Sequence, residues 1–91
     1  KWASIRYTDD HILDYMEVDA SHAIFEVEVP EEWIGKTVGG LDIRKRYNIN
    51  ILAVKNEGEF NIAISPDTYL AENNKILVLG EYRALQKCFR I

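Results

Sequence analysis

The sequence predicts a small α+β domain: a mixed or antiparallel β-sheet with helices on one side, in the order ββαβββα. Three observations carry this. Hydrophobic alternation of period two runs through residues 23–29. The spacing then shifts to three or four residues for Ile34, Val38 and Leu41, and returns to that helical period near the C-terminus in Tyr82, Leu85 and Phe89. Between these lie two β-rich runs joined by a turn. With 91 residues, 47% of them hydrophobic, the chain accommodates one domain with a modest core.

Taken in order, residues 12–18 (Ile-Leu-Asp-Tyr-Met-Glu-Val) and 23–29 (Ala-Ile-Phe-Glu-Val-Glu-Val) read as paired strands separated by Asp19 to His22. In the second, Phe25, Val27 and Val29 share one face, while Glu26 and Glu28 share the other. Pro30 lacks a ladder donor and ends it. One helix is predicted from Thr37, a candidate N-cap, to about Tyr47. Gly39 and Gly40 each weaken it by roughly 1 kcal/mol relative to alanine, which points to close backbone approach there. Asn48 can take the left-handed conformation that ends a helix. Strands over 49–55 and 60–65 then flank an Asn56-Glu57-Gly58-Glu59 turn as a hairpin. Pro66 and Asp67 open a loop, 75–80 is a last apolar strand, and 81–91 a final helix.

Charge and composition exclude several functions. A net charge of −4 argues against a protein that grips nucleic-acid backbone over its whole surface. Charge is nevertheless segregated. Lys36, Arg44, Lys45 and Arg46 face only Asp42 in their segment, whereas Glu26, Glu28, Glu31 and Glu32 lie just upstream. That leaves room for a local anion site. Cys88 is the only cysteine, so no intramolecular disulfide or thiolate metal cluster forms, which fits a reducing, intracellular setting; it reads as a small apolar residue of the terminal helix. No apolar run approaches the ~20 residues of a membrane span. The chain opens on Lys1, from which we expect a fragment of a longer protein, with residues 1–10 a linker remnant and 11–91 the folded domain.

No enzymatic constellation emerges. His11 and His22 lack a metal-ligand spacing and read as solvated turn histidines. The acidic run reads as a solvated strand face and turn, with a divalent-cation site as the minor reading. Neither GxGxxG nor GxxxxGK[ST] occurs. Trp2 and Trp33 read as packing residues. One group is unusual: Ile43, Arg44 and Tyr47 on the helix, followed by Asn50 and Ile51 on the next strand. Ile43 and Tyr47 fall off the Ile34–Val38–Leu41 stripe and suggest a second apolar helix surface that needs a partner. The alternative is that they pack under the sheet and Arg44 is solvated.

The run Ile34-Gly35-Lys36-Thr37, then Leu41-Asp42-Ile43-Arg44-Lys45-Arg46-Tyr47-Asn48-Ile49-Asn50-Ile51, then Ile64-Ser65-Pro66-Asp67, then Asn74-Lys75-Ile76-Leu77-Val78-Leu79-Gly80 resembles the C-terminal domain of RCK proteins, regulators of potassium conductance. The resemblance extends from about Asp14 to Phe89 and is greatest to the regulatory subunits of Ktr- and Trk-type uptake systems. It implies a homodimeric regulatory domain that binds cyclic di-AMP in the cleft between two copies, controlling potassium uptake. Matching the segments makes Arg44 the phosphate contact and Asn50 the adenine contact, with Ile43, Ile51 and Pro66 as the apolar wall. It further implies no cofactor and no catalysis, an N-terminal Rossmann-like RCK domain in the same chain, and a potassium-translocating membrane partner. The location implied is the cytoplasmic face of the membrane, without insertion. A dimerisation or cation-sensing module that binds no nucleotide is the alternative within the same family.

Overall fold

The computed structural model of the chain describes residues 12–90. Trp2, His11 and the predicted linker 1–10 lie outside the described residues. The elements are β1 (Ile12–Glu17), β2 (His22–Glu28), a 3-10 turn (Glu31–Trp33), β3 (Lys36–Thr37), α1 (Val38–Leu41), α2 (Ile43–Tyr47), β4 (Ile49–Asn56), β5 (Glu59–Asn61), β6 (Tyr69–Leu70), β7 (Lys75–Glu81) and α3 (Tyr82–Phe89). Five strands form one sheet in the order β1-β2-β7-β4-β5, and every neighbouring pair is antiparallel. The α+β class and the antiparallel option of the prediction both hold.

Alternation sets the core. Ala23, Phe25 and Val27 on β2 and Ile76 and Val78 on β7 are fully buried beneath the helices, together with Ile49, Leu70 and Leu85. Each of the Val, Leu, Ile and Phe side chains among them contributes about 1.5–3 kcal/mol on burial. Trp33 is 3% exposed; it meets Tyr47 at 5.5 Å and Phe89 at 5.8 Å between ring centroids, tying the 3-10 turn to α2 and α3.

The structure corrects three details. The predicted single helix over 37–47 is broken at Asp42, whose φ of 52° lies in the left-handed region. Its N–H bonds to the carbonyls of Val38 and Gly39, while its own carbonyl accepts from Arg46 N at 2.9 Å. The break rotates α2 inward. Ile43 is therefore 2% exposed and in the core, and Tyr47 packs against it, so the anticipated second apolar helix surface does not exist. The second correction concerns the strand expected over 60–65, which stops at Asn61. Asn61 Oδ1 accepts from Ala63 N at 3.0 Å, a local turn that peels the chain away from β4. The third is the β3–β6 pair, Lys36↔Leu70 and Thr37↔Tyr69, too short to leave a periodic signal.

Candidate functional site

The site grows from the α1–α2–β4 junction. Thr37 Oγ1 accepts from Gly40 N at 3.0 Å, which opens α1 as the sequence predicted. Gly39 N donates to the Pro66 carbonyl at 2.8 Å, and a Cβ on Gly39 would stand 2.7 Å from the Pro66 Cβ. The close approach expected of the glycine pair is thus between α1 and the Pro66 loop. That loop is locked by Ser65 N donating to Thr68 Oγ1 (2.9 Å) and Thr68 N to the Ser65 carbonyl (3.0 Å). Asn48, at φ 57°, ends α2 by donating its N–H to the Arg44 carbonyl, and the chain turns directly into β4.

This geometry brings Ile43, Arg44, Asn50, Ile51 and Pro66 to one groove of about 370 Å³. At its rim, Arg44 Nε donates to Asn50 Oδ1 at 2.7 Å. A guanidinium cannot accept, so the Asn50 carbonyl oxygen faces it and the Asn50 amide N–H groups point elsewhere. Arg44 is exposed and Asn50 half-buried. The walls are apolar. Ile51 is half-buried and Pro66 exposed, while Ile43 is nearly inaccessible and supports the floor. Val38, Gly39, Asp42, Ile49, Ile64 and Ser65 complete the lining, and sequence reasoning did not assign them. For Gly39 the signal was legible as a demand for space; for Ile64 and Ser65 it lay only in their adjacency to Pro66. The site can hold a planar apolar group over Ile51 and Pro66 and a phosphate at the guanidinium.

The other cations of the segment do not join Arg44. Arg46 stacks over the Tyr47 ring at 5.2 Å and lines a separate groove of about 490 Å³ with Trp33, Lys87 and Arg90. There α2 and α3 both end, and cations complement the partial negative charge of helix C-termini. Among the remaining candidates, His22 Nδ1 lies 2.9 Å from Asp19 Oδ1. The Ser21 N–H and then the His22 ring hold the Asp19 carboxyl below its usual range. Burial pushes the half-buried Cys88 thiol up to about 12, with Glu32 adding to the shift. Glu26 lies 3.8 Å from Lys55 Nζ. Among the described residues, no three or more His, Cys, Asp or Glu side chains gather where they could hold a metal ion. No helix among them is long and apolar enough to cross a membrane.

The chain is 30% identical over 71 residues to the Ktr system potassium uptake protein C of Bacillus subtilis (strain 168), covering 78% of this chain and 32% of the relative. It is 33% identical over 64 residues to the K(+)/H(+) antiporter subunit KhtT of the same organism, covering 69% of this chain and 39% of that protein. It spans about a third of the length of the curated relatives it matches. Among solved structures, the RCK C domain of the potassium transport protein KtrA, in complex with cyclic di-AMP, superposes with a TM-score of 0.70 at 32% identity, covering 76% of this chain and 81% of that one. The model of the TrkA-C domain matches residues 22–91, taking in every element from β2 to α3 and the whole groove. The chain belongs to the TrkA-C (RCK C) domain family.

Proposed function

We propose that this chain is the ligand-sensing domain of a bacterial potassium-transport gating subunit, and that a homodimer of it binds cyclic di-AMP where two grooves meet. The observation that carries this reading is the Arg44–Asn50 hydrogen bond at the rim of an apolar groove. A KtrA domain 32% identical to this chain has been solved with that ligand, which supports the choice of nucleotide. Arg44 meets a phosphate; Asn50, with its amide N–H groups free to donate, addresses the polar edge of adenine; Ile51 and Pro66 flank the base over the Ile43 floor. Cyclic di-AMP has two phosphates and two adenines related by a twofold axis, and a symmetric homodimer supplies each recognition group twice.

In the full-length protein this domain follows a Rossmann-like RCK domain and acts on a potassium-translocating membrane subunit from the cytoplasmic side. It transmits ligand occupancy and performs no chemistry of its own. Calorimetric titration with cyclic di-AMP, cyclic di-GMP and calcium, paired with sedimentation equilibrium, tests the reading. Cyclic di-AMP is expected to bind at one molecule per dimer and in preference to the other two. A dimer that ignores cyclic di-AMP at millimolar concentration would overturn it.

A further inference from the structure

We propose that the cationic groove between the ends of α2 and α3 docks an extended, acidic peptide segment of a partner protein, whose carboxylates meet Arg46, Lys87 and Arg90 while an apolar side chain rests on Tyr47. This site shares no lining residue with the groove assigned to the nucleotide, and it stands whether or not that ligand binds.

The floor is packed and the rim is charged. Trp33 is buried against the Tyr47 and Phe89 rings, which fixes the ends of α2 and α3 relative to each other. Over that floor the groove of about 490 Å³ is lined by three cations and one carboxylate, Glu32, although the whole chain carries 15 acidic residues against 11 basic ones. A positive concavity on an acidic protein draws an anionic partner to that place, because its walls focus the local field.

All three cations are available to such a partner. Arg46 stands over the Tyr47 ring at 5.2 Å, and a guanidinium held against a ring keeps N–H donors for a carboxylate. Lys87 is exposed in the last turn of α3, and among the described residues neither it nor Arg46 has a carboxylate within ion-pair distance. Arg90 lies 3.7 Å from Glu32, but both side chains are largely exposed, and a pair of that kind contributes little and opens readily.

The helix ends favour a peptide over a small anion. The last carbonyls of a helix have no intrahelical partner, and each capping N–H here reaches one of them, that of Arg44 in α2 and of Gln86 in α3. The remaining carbonyls repel a bare phosphate, whereas a peptide brings backbone N–H groups for them together with carboxylates for the cations. Shape agrees with this. Through Pro30, Glu32, Cys88 and Arg90 the groove runs on into a second depression of about 260 Å³ that reaches Glu31, so the space is elongated and its far end is acidic. The acidic stretch of the occupant therefore lies over Arg46 and Lys87, away from Glu31.

Fluorescence anisotropy with two rhodamine-labelled peptides, Asp-Glu-Phe-Glu-Asp and its uncharged counterpart Asn-Gln-Phe-Gln-Asn, tests this on the wild type and on Lys87→Glu, Arg46→Gln and Lys45→Glu, with far-UV circular dichroism to confirm folding. The acidic peptide is expected to bind roughly tenfold or more tightly than the uncharged one, and less tightly as salt rises. Lys87→Glu and Arg46→Gln should each weaken it roughly fivefold or more, whereas Lys45→Glu, one position from Arg46 but outside the groove, changes it by less than about twofold. Lys87 has no ion-pair partner to lose, so its variant carries the test even if Arg46→Gln disturbs the packing of Tyr47. Absence of binding at about 1 mM acidic peptide, equal binding of the uncharged peptide, or an equal loss in Lys45→Glu would overturn the proposal. Displacement of the peptide by equimolar inorganic phosphate would make the groove a small-anion site, and a changed sedimentation equilibrium of the unliganded Lys87→Glu variant would make its occupant a second copy; either result overturns it as well.

Discussion

Arg44, Lys45 and Arg46 carry the same charge in consecutive positions, yet the backbone sends them to different tasks. Arg44 reaches Asn50, and Arg46 lies on the Tyr47 ring. In the proposed complex Arg44 makes a charge-assisted bond in a partly desolvated groove. Arg44→Ala should then weaken cyclic di-AMP binding by about 1.5–3 kcal/mol per bond lost, whereas Lys45→Ala loses only screened attraction that fades with salt. Arg44→Lys keeps the charge but not the planar fork that serves Asn50 and a phosphate together, so its affinity should fall between the two. Titrations at two salt concentrations check this; equal losses for Arg44→Ala and Lys45→Ala that vanish at high salt would reveal a diffuse basic surface. Asn50→Ala should chiefly reduce discrimination between cyclic di-AMP and cyclic di-GMP, because it removes an edge contact and leaves the phosphate contact. Cys88 gives a second residue-scale test. Its thiol is pushed up to about 12 by burial and the nearby Glu32, so almost no thiolate exists in the folded state at pH 8. Iodoacetamide should leave it unmodified in buffer and alkylate it in urea. The sign for stability follows: the thiol ionises in the unfolded chain from its ordinary value of 9.0 upward but not in the fold, so stability declines as pH rises from there toward 12.

At the scale of elements, the sequence was most informative where one period ran uninterrupted. β2 and α3 were legible because burial on one face imposes alternation or a helical stripe over seven or eight residues, and β1 and β7 because their runs are rich in β-forming apolar residues. The α1–α2 break was not legible, since a left-handed aspartate leaves no periodic trace. The sequence therefore left open whether Ile43 and Tyr47 face outward or pack under the sheet; the kink puts Ile43 in the core with Tyr47 half-buried against it. The early end of β5 rests on one side-chain bond from Asn61, equally silent in a pattern of apolar residues. Family likeness named five candidate residues that the fold brings to one groove, while their supporting contacts needed the fold. Gly39 illustrates this. Helix propensity alone favours Gly39→Ala by about 1 kcal/mol. The added Cβ would, however, meet the Pro66 Cβ at 2.7 Å and the Pro66 carbonyl oxygen at 2.8 Å, and backbone cannot step aside cheaply. Overpacking of this kind costs about 1–3 kcal/mol, so the steric term wins. Gly39→Ala should lower the urea midpoint, and by displacing Pro66 it should also weaken cyclic di-AMP binding. A variant more stable than wild type would mean that α1 and the Pro66 loop are free to separate.

For the molecule as a whole, size and assembly decide how ligand and stability are linked. A domain of this length keeps only a small surplus of stability over conformational entropy, so any species that binds the folded form alone shifts the balance visibly. The second copy and the nucleotide are two such species, and in the proposed complex both act at the junction of α1, α2 and β4. At a cyclic di-AMP concentration of 100 times Kd, binding to the folded state adds about 2.7 kcal/mol. For a domain of 60–100 residues each kcal/mol moves Tm by roughly 4–8 °C, so a rise on the order of 10–20 °C is expected. Tm should also rise with protein concentration, because dimerisation is a mass-action term of the same form. The two effects separate by mutation. Arg44→Ala should abolish most of the nucleotide-induced rise while keeping the concentration dependence, since Arg44 is assigned to the ligand and not to the contact between copies. Dilution below the dimer dissociation constant should remove most of the nucleotide effect, because a ligand shared by two grooves cannot hold a single copy as firmly. Differential scanning calorimetry over a hundredfold range of protein concentration, with and without cyclic di-AMP, reads both. A nucleotide-induced rise of the same size at the lowest protein concentration, where the protein is monomeric, as at the highest would show that one copy completes the site alone.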